Sequence, residues 1–151
     1  MVKLGMTLDL SSLNKSFEDM TREAQREAKK AIAKVSYKVE GDAKENIQTG
    51  ARSGRIYSKG KKGNIKHQAS AAGEFPKTDT GALVSGITAE FDFSGLSSTV
   101  GSRISTPHGH WLEFGTSNMK ARPWLSRTID ENKDFIKKEF DDTLQKIAKE
   151  F

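Results

Sequence analysis

Residues 87–102 read Ile-Thr-Ala-Glu-Phe-Asp-Phe-Ser-Gly-Leu-Ser-Ser-Thr-Val-Gly-Ser. Ile87, Ala89, Phe91 and Phe93 alternate with Thr88, Glu90 and Asp92, the period of a strand that buries one face. Ser94-Gly95 supplies a hairpin turn, and Leu96 to Ser102 forms the return strand. This stretch puts a small antiparallel sheet in the middle of a chain whose flanks read as helix.

Just before the hairpin, Thr78-Asp79-Thr80 offers capping chemistry ahead of Gly81-Ala82-Leu83-Val84, a helical turn or two. Just after it, Thr106-Pro107-His108-Gly109 breaks the pattern, and a short segment around His110–Phe114 ends at Gly115. Pro123 then precedes a helical stripe of Leu125, Ile129, Ile136, Phe140, Leu144, Ile147 and Phe151. At the other end of the chain, Val2, Leu4, Met6, Leu8 and Leu10 alternate as a first strand. Ser11 or Ser12 is a suitable N-cap, with Glu18 and Asp19 near the start of the next element. From Leu13 to about Ile47 the apolar positions, among them Phe17, Met20, Ala24, Ile32, Val35 and Val39, recur every three or four residues. Some thirty residues of helix make a rod of roughly 45–50 Å, with Gly41 a candidate bend or end. The predicted class is α+β: a sheet of three or four antiparallel strands packed with one long N-terminal helix and a C-terminal helix.

The 151 residues suit a single domain, 1–151. With 30% charged residues and only 34% in the apolar set, the composition is that of a surface-rich protein. No run approaches the roughly 18 apolar residues of a membrane span, and the opening residues carry no secretory signal, so a cytosolic origin is expected. The absence of cysteine excludes disulfides, thiolate metal sites and cysteine catalysis.

The net charge of +5 is concentrated in one place. Between Asn46 and Gly73 there is no acidic residue, and Arg52, Arg55, Lys59, Lys61, Lys62 and Lys66 are all basic. Glycines are frequent and large apolar residues few, so 48–78 reads as a long flexible loop within the domain. Its charge suits a solvated excursion, a phosphate contact or an arm that orders against another protein. Tyr57 stands alone there, without the interleaved aromatics of single-strand binders.

Catalytic chemistry finds little support. His108, His110 and Glu113 are zinc-type ligands, yet the two histidines lie two apart beside glycine and proline rather than at a helical spacing. No nucleophile elbow or phosphate-cradling glycine loop is present. Asp141-Asp142 lies on a charged helix face. The reading is of a protein that is not an enzyme and needs neither cofactor nor metal.

Two stretches are more specific. One comprises Arg52-Ser-Gly-Arg-Ile-Tyr57, His67-Gln-Ala-Ser-Ala-Ala-Gly-Glu74 and Thr78-Asp-Thr-Gly-Ala-Leu83. The other runs Gly109-His-Trp-Leu-Glu-Phe-Gly-Thr116 and then Ala121-Arg-Pro-Trp-Leu125. In order and spacing they resemble the tailed-phage neck family of head–tail joining, or tail-completion, proteins over roughly residues 45–130. That resemblance implies a virion structural protein forming a ring, hexameric or twelvefold, at the head–tail interface, where it joins the tail to the DNA-filled capsid.

The implied partners are further copies of the chain, a head connector or stopper protein, and a tail terminator or tail tube protein, with transient contact to packaged DNA and none to a membrane. The implied location is the virion neck, after assembly in the host bacterial cytoplasm. A tail-terminator ring capping the tail tube is the sibling reading, and a nonspecific DNA-binding module is the rival from another class.

The loop residues Arg52, Arg55, Tyr57, Lys59, Lys61, Lys62, Lys66 and His67 are then expected at partner or subunit interfaces. Protein surfaces are favoured over DNA, because a channel through which DNA must slide gains little from gripping phosphates. Gly73, Thr80, Gly81, His110, Trp111, Glu113, Phe114, Gly115, Thr116, Arg122, Pro123 and Trp124 are expected to hold the fold. Phe114 would pack inward beside Gly115, and Thr80-Gly81 would cap the short helix. Pro123 would open the last helix, and Trp111 and Trp124 would be core or inter-subunit anchors.

Overall fold

A line of small and β-branched residues decides how the longest helix packs. The computed structural model describes residues 2–9 and 22–150. In it, α1 (Arg22–Thr49) buries Ala24, Ala28, Ala31, Ile32, Val35, Val39, Ala43 and Ile47 along one face. The expected N-cap at Ser11 or Ser12 and the stripe positions Leu13, Phe17 and Met20 lie outside the described residues. The helix is about 42 Å long at 1.5 Å per residue, and it continues through Gly41, which is exposed and is neither its end nor a packing point.

Two antiparallel sheets accompany it. The larger has the order β1 (Val2–Asp9), β5 (Ser97–Arg103), β4 (Ile87–Phe91), with Ile87 opposite Ser102 and Phe91 opposite Ser98. The central hairpin of the sequence is thus present. Its turn is closed by Gly95 N–H donating to the Asp92 carbonyl at 3.1 Å, with Gly95 at φ +71°. The Ser94 hydroxyl bonded to the Asp92 carboxylate holds that carboxyl below its ordinary range. Burial fades along β4: Ile87 is buried, but Phe91 leans on Tyr37 at the surface and Phe93 is fully exposed beyond the strand. The alternation runs two residues further than the strand does.

The second sheet is a correction to the sequence reading. The basic window contains a hairpin, β2 (Ile56–Lys59) and β3 (Ile65–Gln68), joined by a 3-10 turn at Lys61–Gly63. Tyr57 pairs with His67 and Lys59 with Ile65. Most of its side chains are exposed, so apolar periodicity could not announce it.

Three further helices complete the chain: α2 (Ala82–Gly86), α3 (His108–Phe114) and α4 (Leu125–Lys149). One core cluster joins Ala43, Ile47, Leu83, Ile87, Trp124 and Leu125. A second joins Val35, Val39 and Val100 with the half-buried Phe135, Ile136 and Phe140. Ile129 packs against both. Polar groups stitch α1 to α4 and to β5 as well. Asn132 donates to Asp42 at 2.8 Å, and Ser36 bonds Ser98 at 2.6 Å. Leu144, counted in the apolar stripe, is half exposed; the buried position beside it is Thr143, whose hydroxyl donates to the Glu139 carbonyl.

Candidate functional site

The two motif stretches converge where α3 meets the start of α4. An α-helix begins with backbone N–H groups that have no partner within the helix. Trp124 and its neighbours offer no side-chain cap of their own to α4. Glu113, on α3 and only 7% exposed, supplies it from across the junction. Its Oε2 accepts from the N–H of Trp124 at 2.8 Å and of Leu125 at 2.9 Å, and its Oε1 from the N–H of Ser126 at 3.1 Å. The Ser126 hydroxyl donates to the same Oε1 at 2.5 Å. A carboxylate at a helix N-terminus is also favoured by the helix dipole.

Trp124 completes the joint. Its indole is fully buried and donates from Nε1 to the Gly109 carbonyl at 2.9 Å. Gly109 itself cannot bear a side chain, because a Cβ there would lie 2.5 Å from Ser102 Oγ. At the other end of α3, Gly115 has φ +77°, and a Cβ would sit 2.8 Å from the Met119 carbonyl oxygen. The chain then turns tightly, with Thr116 and Met119 exchanging backbone hydrogen bonds at 2.8 and 3.3 Å. Pro123 stands two residues ahead of α4, not inside its first turn.

The other motif stretch is tied to this joint through the backbone. Arg122 donates from Nε to the Ser70 carbonyl at 3.1 Å and from its own N–H to Leu112 at 2.7 Å. Gly73 N–H donates to the Ala121 carbonyl at 3.0 Å, and Arg127 reaches the Gly73 carbonyl at 3.2 Å. Glu74 folds its own loop, accepting from the Ser53 hydroxyl at 2.6 Å and the Ala71 N–H at 2.8 Å. Those bonds, the serine's first, hold the Glu74 carboxyl below the usual glutamate range. At α2, Thr80 Oγ1 lies 3.4 Å from the Ala82 N–H, while Gly81 at φ +78° occupies the cap position. Thr78, three residues before Gly81, accepts that glycine's N–H at 3.2 Å.

One expectation is overturned on α3 and another is narrowed. Phe114 does not pack inward; it is 63% exposed. Trp111 is 49% exposed, which removes the core alternative of the two expected for it and leaves the inter-subunit one. The buried face of this seven-residue helix belongs to Gly109 and Glu113, four apart, because they serve the indole and the cap. The aromatics are left outside, where the His110 and Phe114 rings meet tilted at 58°, 4.9 Å between ring centres. His108 lines a groove on another side of the helix together with Leu112. Among the described residues, no three His, Asp or Glu side chains converge in the manner of metal ligands.

The basic hairpin stands off from this joint above a groove of about 330 Å³, lined by Tyr57, His67, Leu112, Met119 and Arg122 among others. Asp79 binds it from the body, pairing with Lys59 and lying 3.4 Å from His67 Nδ1. Arg55 rests over the Tyr57 ring at 5.4 Å. Among the described residues no carboxylate lies within ion-pair distance of Arg52, Arg55, Lys61, Lys62 or Lys66, whereas Lys30, Lys34, Lys38 and Lys44 on α1 each have one. Ile56 and Ile65 are also exposed, at 57% and 58%. No helix among the described residues is long and apolar enough to cross a membrane.

No curated protein and no solved structure matches the chain. Residues 11–115 match the family model HK97-gp10_like, described as "Bacteriophage HK97-gp10, putative tail-component". The matched span takes in α1, the basic hairpin and all of α3, and it stops at Gly115.

Proposed function

The chain belongs to the HK97-gp10-like family of bacteriophage tail components, and from that membership we propose that it is a structural subunit of a ring at the head–tail interface, completing the tail and joining it to the DNA-filled capsid. Its work on this reading is contact, not turnover. The observation that carries the proposal is the separation of a braced interior from two outward surfaces of different chemistry. The Glu113–Trp124 joint and the Arg122 and Gly73 bonds fix the body. From that body project an arm whose cations, Lys59 excepted, have no carboxylate within ion-pair distance among the described residues, and a short helix with exposed aromatics. Subunits that present two unlike surfaces associate head to tail, and such contacts close into rings when the rotation allows. Connector or stopper on one side and tail tube or terminator on the other are the partners this role requires.

The test is quantification of the polypeptide in purified virions by mass spectrometry against a portal or capsid standard. A low copy number divisible by six supports the ring. Absence from virions, with abundant protein in the infected cell, removes the reading.

A further inference from the structure

A single carboxylate pins the arm to the body. Tyr57 pairs with His67 and Lys59 with Ile65, so these four share one face of the hairpin. Tyr57, Lys59 and His67 look across the groove of about 330 Å³ onto the body. Asp79, on the far side, meets both strands at once. One of its oxygens pairs with the Lys59 ammonium on β2, and the other lies 3.4 Å from His67 Nδ1 on β3. Asp79 is itself fixed, because its loop is fastened to the end of α1. The Thr78 N–H donates to the Ile47 carbonyl at 3.2 Å, and the Lys77 ammonium to the Gln48 carbonyl.

Little else holds the arm down. Among the described strands and helices, β2 and β3 pack extensively only on each other and on their own turn. Every residue of β2 is exposed, and the space under the arm stays open. A gap between facing surfaces forfeits the dispersion that would hold them together. Among the described residues that line the groove, Asp79 is the one acid, beside Lys59, Lys77 and Arg122. Cations crowded under a lid repel one another once that charge is gone. The pair is also accessible, with 44% of the Lys59 side chain and 35% of Asp79 exposed. Ion pairs this wet hold weakly.

We infer that the arm is a strap with two positions: closed over the groove while Asp79 holds it, and open when that carboxylate lets go. The pivot is the root. Arg122 fixes Ser70 to the body, and just beyond it Gly54 and Arg55 bond Ala69. The strands therefore stay paired, and the hairpin turns as one piece about that root. Opening uncovers Leu112 and Met119 on the groove wall and separates Lys59 from Lys77 and Arg122. The gap between the two positions is one wet ion pair less the repulsion it offsets, so both are populated. The device belongs to the folded chain and stands whether or not copies assemble into a ring.

The chain has no cysteine of its own, so introduced thiols carry spin labels cleanly. Lys61→Cys marks the tip of the arm and Lys133→Cys the exposed side of α4, and pulsed dipolar spectroscopy reads the distance between them. A dominant distance for the closed arm and a minor one for the open arm are expected. Asp79→Asn should raise the open-to-closed ratio about fivefold. Lys59→Gln should raise it less, and should open the arm no further when added to Asp79→Asn, because the pair is already broken. In a separate chain, a lone thiol at Met119→Cys should be alkylated faster with Asp79→Asn than without it. Circular dichroism verifies that each variant is folded.

One unchanged distance in Asp79→Asn removes the strap. So does a Lys59→Gln effect that adds in full to that of Asp79→Asn, since the opening would then arise elsewhere. Opening accompanied by lost amide protection across the Tyr57–His67 pair would mean that the hairpin unravels and does not turn, and removes it as well.

Discussion

Trp124 is bonded twice to the short helix that carries Glu113, 11 residues before it in the chain. The Glu113 carboxylate accepts the backbone N–H of Trp124, and the Trp124 indole donates to Gly109, one turn before Glu113 on the same short helix. A buried acid is thus the cap of the C-terminal helix. Glu113→Ala leaves three amides of the first turn unpartnered, and we expect a loss of about 2–4 kcal/mol in urea unfolding. Glu113→Gln retains an acceptor and should cost less, about 1–2 kcal/mol. Equal losses for the two variants would mean that packing, not capping, sets the residue's value.

Glycine is needed at Gly115 for two reasons and at Gly73 for one. Both have φ near +80°, but a Cβ on Gly115 strikes backbone atoms, whereas one on Gly73 meets open space. Gly73→Ala should therefore cost about 1 kcal/mol, the ordinary penalty of a left-handed residue. Gly115→Ala should cost about 3 kcal/mol or more, since strain and collision add. Thermal midpoints of the two variants side by side decide it, and a reversed order would contradict the geometry.

The two tryptophans should respond in opposite ways. Trp124→Ala empties a fully buried site and should destabilise by about 3–5 kcal/mol. Trp111→Ala removes a surface ring and should stay within about 0.5 kcal/mol in the isolated chain. Denaturant unfolding under conditions that hold the protein monomeric separates stability from any effect on association.

Acid should loosen the loop that Glu74 organises. Its carboxyl titrates below the usual glutamate range in the folded chain, so its contribution is present above the unfolded value and is lost as pH falls through the folded one. The group is accessible to water, so the effect is local and not global. Protection of the Ala71 amide against hydrogen exchange, corrected for the intrinsic rate, should fall on acidification. In Glu74→Gln that acid dependence should vanish. Persistence of the dependence in the variant would assign it elsewhere.

Legibility in the sequence followed burial. The central hairpin and the two long helices were readable because their apolar residues recur at the period of the element that buries them, and the short α2 because capping residues stand ahead of it. The arm's β2–β3 pairing was not, because its side chains face water on most positions and nothing periodic marks it. Glycines at 60 and 63 with positive φ suggested a loop, and they in fact build its turn. Phe114 was misplaced by the rule that aromatics go inside. The inward positions of α3 were already taken by a glycine and a carboxylate, with functions that hydropathy does not record. Glu113 was visible as a motif residue, but its partners eleven to thirteen positions away were not.

The attachment of the arm has a mechanical consequence. Its two strands are laced at the root by Gly54 N–H to Ala69 and Ala69 N–H to Arg55. The next residue, Ser70, is gripped by Arg122, and Gly73 by Ala121 and Arg127, all within a few positions of where α4 begins. Tension on the arm's tip is therefore carried down a stiff lever into the head of α4, and through the arm's other root into the tail of α1. Those are the two longest rods in the molecule, and they lie against each other. The sheet stands outside that path. A pull on the arm loads the helical pair first, and reaches the three-stranded sheet chiefly through its packing on α1.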